Sequence, residues 1–275
     1  MIGQETGNIF KSTEEAKKII HNAKNSDIDT VVFSGGEPTI RKDIKDLSAF
    51  TESLGLNTGV ATNLSMFQYE ELLDDLMDRG LNWIYGTFYS KYPDTFKKIT
   101  RTSNIKFNKK GIKNCISKDV ELLINHVITK HNINELEDNV EYLVDKDAKT
   151  LKLSMVEPVG LVENNIGIVP DIEKTAEKIN LCIDRFGDEI DIYFEGIPLC
   201  LSDHKNNFRE FKKFNIKYMC EPYENKFYRT DTKYSRINMC EGCELDNCPG
   251  IYRNFYKKFK EKSEKIVRQN KVERN

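Results

Sequence analysis

The chain has 275 residues, 39% hydrophobic and 31% charged, with 42 Lys+Arg against 44 Asp+Glu and a formal net charge of −2. That length suits one large α/β domain or a core with a small appendage. The near balance of charge excludes a protein that coats nucleic acid or membrane surfaces through bulk charge. No stretch approaches the run of about 18 apolar residues that a spanning helix needs. Residues 1–15 show neither the basic nor the apolar region of a signal peptide, so a cytoplasmic location is expected.

The predicted elements alternate. Ser12 and Glu15 make a capping box at the head of a helix over residues 12–24, whose apolar stripe is Ala16, Ile19, Ile20 and Ala23. Residues 30–33 are β-branched and apolar on both faces, as in a buried parallel strand, and stop at Gly35-Gly36. A helix over 43–54 and a strand over 56–61 follow. Ser65 and Gln68 then read as a second capping box, opening a helix to about Arg79. Next come a strand over 83–88, a helical turn over 94–100, a helix over 109–117 and a strand over 120–128. A helix over 133–144 leads to a strand over 151–156 and a turn-rich stretch over 158–170. Asp171 caps a helix to about Phe186, and residues 190–194 form the last predicted strand. Strand-like runs spaced by helices predict repeated βα units and a parallel sheet, either doubly wound or a full or partial barrel. Both architectures collect chemistry at the C-terminal ends of the strands.

Those ends are polar. The first carries Ser34-Gly35-Gly36-Glu37-Pro38, where two glycines let a ligand approach the backbone, Glu37 offers a carboxylate and Pro38 fixes φ. The second ends in Ala61-Thr62-Asn63, a hydroxyl and an amide that would also serve as helix caps. Asn125 and His126 lie inside an apolar run, the setting of a core histidine, and Glu157-Pro158 follows the fifth strand. Such a rim suits a polar, zwitterionic small molecule bearing a ribose.

The tail carries a second signal. Cys240, Cys243 and Cys248 stand in a C-x2-C-x4-C-P-G string, with Cys200 and Cys220 upstream. A C-x2-C knuckle brings two thiolates to one site, a third cysteine adds a ligand, and a distant fourth would complete the set. Spacing alone suits zinc and an iron–sulfur cluster equally. Cys115 and Cys182 sit singly in helical segments and read as inert buried thiols. The lysine-rich stretch after Tyr256 reads as a solvated helix face, so nucleic-acid binding is not expected.

The string Val31-Val32-Phe33-Ser34-Gly35-Gly36-Glu37-Pro38 resembles the GGEP motif of the radical S-adenosylmethionine superfamily, and Thr62-Asn63 falls where that family has a polar pair. The resemblance extends over roughly residues 10–255, through the βα units to Val156-Glu157-Pro158-Val159-Gly160 and the cysteine tail. It implies an α/β fold, a partial (β/α) barrel lacking its first strand, with a core over 1–195 and a Cys-rich extension over 196–275. It implies S-adenosylmethionine and 4Fe–4S clusters as cofactors, a ferredoxin or flavodoxin as reductant, and a peptide or small metabolite as substrate. Gly35 and Gly36 would present backbone to the methionine amino group, Glu37 and Pro38 would shape that turn, and Thr62 and Asn63 would meet the ribose or carboxylate. Cys200, Cys240, Cys243 and Cys248 would hold an auxiliary cluster, with Cys220 the alternative fourth ligand. The family's C-x3-C-x2-C motif is missing, since no cysteine precedes Gly35. The chain therefore reads as beginning just after that motif, and radical chemistry by this polypeptide alone is not expected. The competing expectation is a non-catalytic βα binding module with a structural zinc knuckle.

Overall fold

The structure is a computed structural model that describes residues 11–26, 28–208, 218–220, 227–229, 234–245 and 248–270. Its centre is a six-stranded parallel sheet in the order β1-β2-β3-β4-β5-β6, formed by Thr30–Phe33, Asn57–Thr62, Leu81–Phe88, Glu121–Ile128, Thr150–Met155 and Asp191–Glu195. Strand order follows chain order without reversal. Right-handed crossovers then always advance the same way, which is the winding of a barrel and not of a doubly wound sheet. The fold is thus a partial β/α barrel.

The helices are α1 (Thr13–Lys24), α2 (Ile44–Ser53), α3 (Glu70–Met77), α4 (Pro93–Thr100), α5 (Ile105–Ile116), α6 (Leu136–Val144) and α7 (Ile172–Phe186). Beyond the sheet lie two antiparallel ribbons, β7 (Tyr218–Cys220) with β8 (Phe227–Arg229) and β9 (Tyr234–Ser235) with β10 (Ile251–Tyr252), and helices α8 (Arg253–Lys258) and α9 (Lys260–Asn270).

The chain divides into two compact units, residues 1–126 with 142–151, and residues 127–141 with 152–275. In the first, β1 pairs with β2 from Thr30↔Asn57 to Phe33↔Val60, and β2 with β3 up to Thr62↔Gly86. The capping box forms as predicted, Ser12 N–H donating to Glu15 Oε2 at 2.7 Å and Glu15 N–H to Ser12 Oγ at 3.2 Å. Ile20 of α1 packs with Leu47 of α2 and Leu56. Each such buried aliphatic side chain contributes about 1.5–3 kcal/mol. Arg41 grips Asp43 through two bonds of 2.7 Å, holding that carboxyl below its ordinary range, while Thr13 donates to the same group at 2.6 Å.

In the second unit Asp171 caps α7 by accepting from Lys174 N–H at 3.0 Å. The helix buries Ile172, Ala176, Ile179, Cys182 and Phe186. Ser263, Ile266 and Val267 are the buried face of α9, while Lys260, Lys265 and Arg268 are exposed. Among the described residues no helix is long and apolar enough to cross a membrane.

Several predicted boundaries are corrected. Ser65 caps nothing: Asn63 Oδ1 takes its N–H at 2.9 Å, and residues Ser65–Gln68 wind as a 3-10 turn before α3. The helix predicted over 109–117 begins four residues earlier, at Ile105. Residues 133–135 form a 3-10 turn before α6. The strand over residues 190–194 is not the last, because the two ribbons follow it.

Candidate functional site

The first candidate site lies at the C-terminal ends of β1, β2 and β3. Ser34, Gly35 and Gly36 are exposed. Gly35 has φ +133°, and a Cβ built on either glycine meets no atom within 4 Å. The loop therefore presents uncovered backbone, partly in a conformation closed to other residues. Pro38 is buried and starts a 3-10 turn over Pro38–Ile40, which Glu37 caps.

Glu37 organises the rim. Its Oε1 accepts from Thr39 N–H at 3.2 Å, Thr39 Oγ1 at 2.5 Å and Thr62 Oγ1 at 2.7 Å, and its Oε2 accepts from Asn63 N–H at 2.8 Å. Thr62 Oγ1 in turn accepts from Leu64 N–H at 3.0 Å. The structure thus brings Glu37, Thr62 and Asn63 together. It spends the Glu37 carboxylate and the Thr62 hydroxyl on tying β2 to the loop after β1.

Sequence reasoning did not single out the other fixtures of this rim. Asn108, on α5, donates from Nδ2 to Asn63 O at 2.7 Å and to Thr87 O at 3.1 Å, joining the ends of β2 and β3. Leu64 adopts φ 66°, rare for a non-glycine residue, and is wholly buried. It fits because two glycines face it: a Cβ on Gly86 would lie 2.6 Å from its side chain, and one on Gly111 2.0 Å from its carbonyl oxygen. Nothing in the sequence pattern signals these contacts. The signal for Asn108 would have been an amide at a position inside a helix, where asparagine is a poor helix former. His126, paired in register with Phe88, is buried, and burial pulls its imidazole down to about 3. It sits in the core as an uncharged ring.

The second candidate site is the cysteine loop. β9 and β10 pair at Tyr234↔Tyr252 and Ser235↔Ile251, closing the loop over residues 236–250. Cys243 N–H donates to Cys240 O at 3.1 Å, the tight turn expected of a C-x2-C knuckle, and Cys248 N–H donates to Leu245 O at 3.0 Å. Cys200 lies on a 3-10 turn over Leu199–Leu201, after β6. Cys200, Cys240, Cys243 and Cys248 all line one small cavity of ≈ 20 Å³ together with Arg236 and Val267. Burial, and then the nearby Cys248, Cys240 and Cys243, push the Cys200 thiol up to about 12. Burial also raises Cys240. Cys220 has its backbone in β7, and its side chain lies outside the described residues.

Among the described residues no group of three His, Cys, Asp or Glu is arranged to hold a single metal ion. A tetrahedral zinc site with bonds of about 2.3 Å needs its sulfurs roughly 3.8 Å apart. A 4Fe–4S cluster binds each thiolate to a different iron and spreads the four wider. Four thiols line the one cavity, a donor set that suits a zinc ion and an iron–sulfur cluster alike.

One buried pair was missed as well. Lys152 of β5 and Glu195 of β6 form an ion pair with side chains 2% and 3% exposed. Tyr252 stacks on Tyr234 with ring centroids 4.9 Å apart. Its phenol is pushed well above its ordinary range by burial, then by Glu195 and Tyr234. A lysine between Leu151 and Leu153 was the available signal.

The winding of the sheet defines a protein of the partial β/α-barrel class, with a polar rim at its strand ends. Comparison with known families gives the lineage: the sequence profile described as "Radical SAM superfamily" matches residues 3–143, and the chain belongs to that superfamily. A probable GTP 3',8-cyclase from Saccharolobus islandicus (strain L.S.2.15 / Lassen #1) is 29% identical over 259 residues, covering 92% of this chain and 77% of that protein. The PqqA peptide cyclase of Bradyrhizobium diazoefficiens is 27% identical over 168 residues, covering 60% of this chain and 44% of that one. Among solved structures, Streptococcus suis SuiB bound to its precursor peptide SuiA superposes with TM-score 0.55 at 17% identity. That match covers 71% of this chain and 45% of SuiB. SuiB bound to S-adenosylmethionine gives 0.51.

Proposed function

We propose that this chain binds S-adenosylmethionine at the β1–β3 rim and a 4Fe–4S cluster in its Cys-rich extension, residues 196–275, and serves radical modification of a peptide or small metabolite. In a complete relative a reduced cluster on the C-x3-C-x2-C motif, which this sequence does not contain, would cleave the cofactor and supply the radical that removes a hydrogen atom from the substrate. The chain's own work is positioning. Gly35 and Gly36 offer uncovered backbone to the methionine amino group, Pro38 starts the turn beneath them, and Glu37 fixes Thr62 and Asn63 at the neighbouring edge. Cys200, Cys240, Cys243 and Cys248 would hold the cluster, losing their protons as they bind it. The peptide option is supported by two relatives, a peptide cyclase and a protein bound to its precursor peptide. The small-molecule option is supported by the broader match to a probable GTP cyclase. A ferredoxin or flavodoxin is the proposed electron donor, and the cytoplasm the proposed location.

The observation that carries the reading is the convergence of four cysteines on one cavity in a chain of this superfamily. Anaerobic reconstitution with iron and sulfide tests it. A brown protein with about four irons per chain and a reduced-cluster electron paramagnetic resonance signal is expected. Recovery of zinc alone would replace it with the structural-knuckle reading.

A further inference from the structure

We propose that the exposed surface of α4 and α5 docks an acidic segment of a peptide substrate. The inference rests on the peptide reading above and deepens it. Residues 91–118 carry nine lysine or arginine residues and a single acid, Asp94, in a chain whose formal net charge is −2. On α4 and just past its end, Lys97, Lys98 and Arg101 are exposed. On α5, Lys106, Lys110 and Lys113 stand at i, i+4 and i+7, an exposed stripe about 10 Å long. Asn108, Gly111, Ile112 and Cys115 fill the buried side of the same helix.

Other basic side chains of this unit are paired: Arg41 with Asp43, Lys45 and Arg79 with Asp75, Lys118 with Asp74. Among the described residues, none of the six exposed cations on α4 and α5 forms an ion pair. Like charges three or four positions apart weaken a helix. The pattern therefore costs α5 stability and returns the fold no ion pair, which points to a use outside the chain. A further charge stands beside the stripe. Lys109 Nζ donates to Lys91 O at 2.7 Å and lies over the Tyr142 ring, 5.1 Å from its centroid, with Lys146 over the same ring at 5.7 Å. Burial, then the like charges of Lys91 and Lys146, hold the Lys109 ammonium below its ordinary range.

Position and chemistry select the occupant. α4 lies in the connection after β3, and Asn108 ties the first turn of α5 to the ends of β2 and β3. A polypeptide held along these helices has one end beside the proposed cofactor rim. The charges extend over two helices, more than a small metabolite covers. Eight of the nine are lysines, compact point charges that suit carboxylates without the bidentate fork by which arginine reads phosphate. The neighbouring rings already hold cations, Lys106 over Phe107 at 5.1 Å and Lys91 over Tyr92 at 5.3 Å, on faces where a base would stack. These features favour a carboxylate-rich peptide over RNA.

The test is the fluorescence anisotropy of a fluorescein-labelled oligoglutamate peptide titrated with the full chain at low and at physiological salt. Two variants of equal charge change are compared, Lys106→Glu/Lys110→Glu/Lys113→Glu and, on exposed positions of α8 and α9, Lys257→Glu/Lys258→Glu/Lys265→Glu. The wild type should bind, more weakly as salt rises. The α5 variant should lose about tenfold or more, while the α8–α9 variant stays within about twofold of the wild type. Equal losses in both variants would reduce the effect to bulk charge and overturn the proposal, as would a wild type that does not bind. Tighter binding of a labelled oligouridylate, lost in the α5 variant, would make the surface one for nucleic acid and also overturn it. Circular dichroism checks the fold, and if the glutamate variant is unfolded the same comparison is made with glutamine at the three α5 positions. The titration needs neither cofactor nor cluster, so failure of the reconstitution experiment above is a separate result.

Discussion

Glu37→Gln is the sharpest probe of the rim. The carboxylate receives four hydrogen bonds, three at Oε1 and one, from Asn63 N–H at 2.8 Å, at Oε2. Glutamine has one oxygen to offer. Its less damaging orientation keeps that oxygen toward Thr39 and Thr62 and turns the NH2 group against the Asn63 N–H, donor against donor. A hydrogen bond to a charged acceptor is worth about 1.5–3 kcal/mol, so loss of one and weakening of three should cost about 2–3 kcal/mol after discount for partial exposure. For a chain of this length that corresponds to a fall in Tm of roughly 3–5 °C. Urea denaturation of the wild type, Glu37→Gln, Thr62→Val and the double variant measures it as a cycle. Because Thr62 both donates to Glu37 and accepts from Leu64, the two losses should overlap by about 1 kcal/mol or more. A cost below about 0.5 kcal/mol, or strict additivity, would refute the view that this carboxylate ties β2 to the loop after β1.

Other expectations follow from the same geometry. Gly36→Val should leave the melting temperature nearly unchanged, since its Cβ meets open space, yet abolish cofactor binding measured by calorimetry. Cys200→Ala should lower the iron content of reconstituted protein while Cys220→Ala should not; the reverse result would move the fourth ligand to Cys220. Gly250→Ala, at φ +97° with a Cβ 2.1 Å from Ser235 O, should open the β9–β10 ribbon and raise proteolytic cleavage within residues 236–250. Burial lifts Cys115 from 9.0 to about 12, so the folded chain keeps a proton that the unfolded chain loses. Stability should therefore be steady below pH 9.0 and fall between pH 9.0 and about 12, and Cys115→Ala should flatten that slope in alkaline denaturation. His126 has the opposite sign, its folded value depressed from 6.5 to about 3, so stability should fall as pH drops through that window. His126→Leu should make that acid limb shallower.

The sequence displayed what short-range chemistry dictates. Ser12 with Glu15, the β-branched run Thr30–Phe33 and Asp171 before Ile172 each write an element boundary within a few residues, and the structure follows them. The alternation of such elements was enough to choose a parallel sheet. The GGEP string marked the rim because two glycines beside a buried strand are a local pattern. Missed features are those fixed by contacts distant in the chain. Ser65 looked like a cap until Asn63 took its N–H, and residues 105–108 fell outside the predicted helix, whose first turn carries Asn108 against the ends of β2 and β3. The ribbon β9–β10 pairs two-residue strands separated by the cysteine loop, too short for any periodicity to register. Lys152 and Glu195 lie 43 positions apart, and only the sheet makes them partners.

Leu64 and its two glycines restrict the routes by which this sequence can drift. The obstruction at Gly86 is the Leu64 side chain, whereas the obstruction at Gly111 is the Leu64 carbonyl oxygen. Shortening Leu64 to alanine would therefore make room for a side chain at position 86 and none at position 111. Gly86→Ala becomes tolerable only after Leu64 has changed, while Gly111→Ala is closed in either background. The order of substitution matters at one site and is irrelevant at the other. A lineage that keeps this turn should hold position 111 fixed and let positions 64 and 86 vary only as a linked pair.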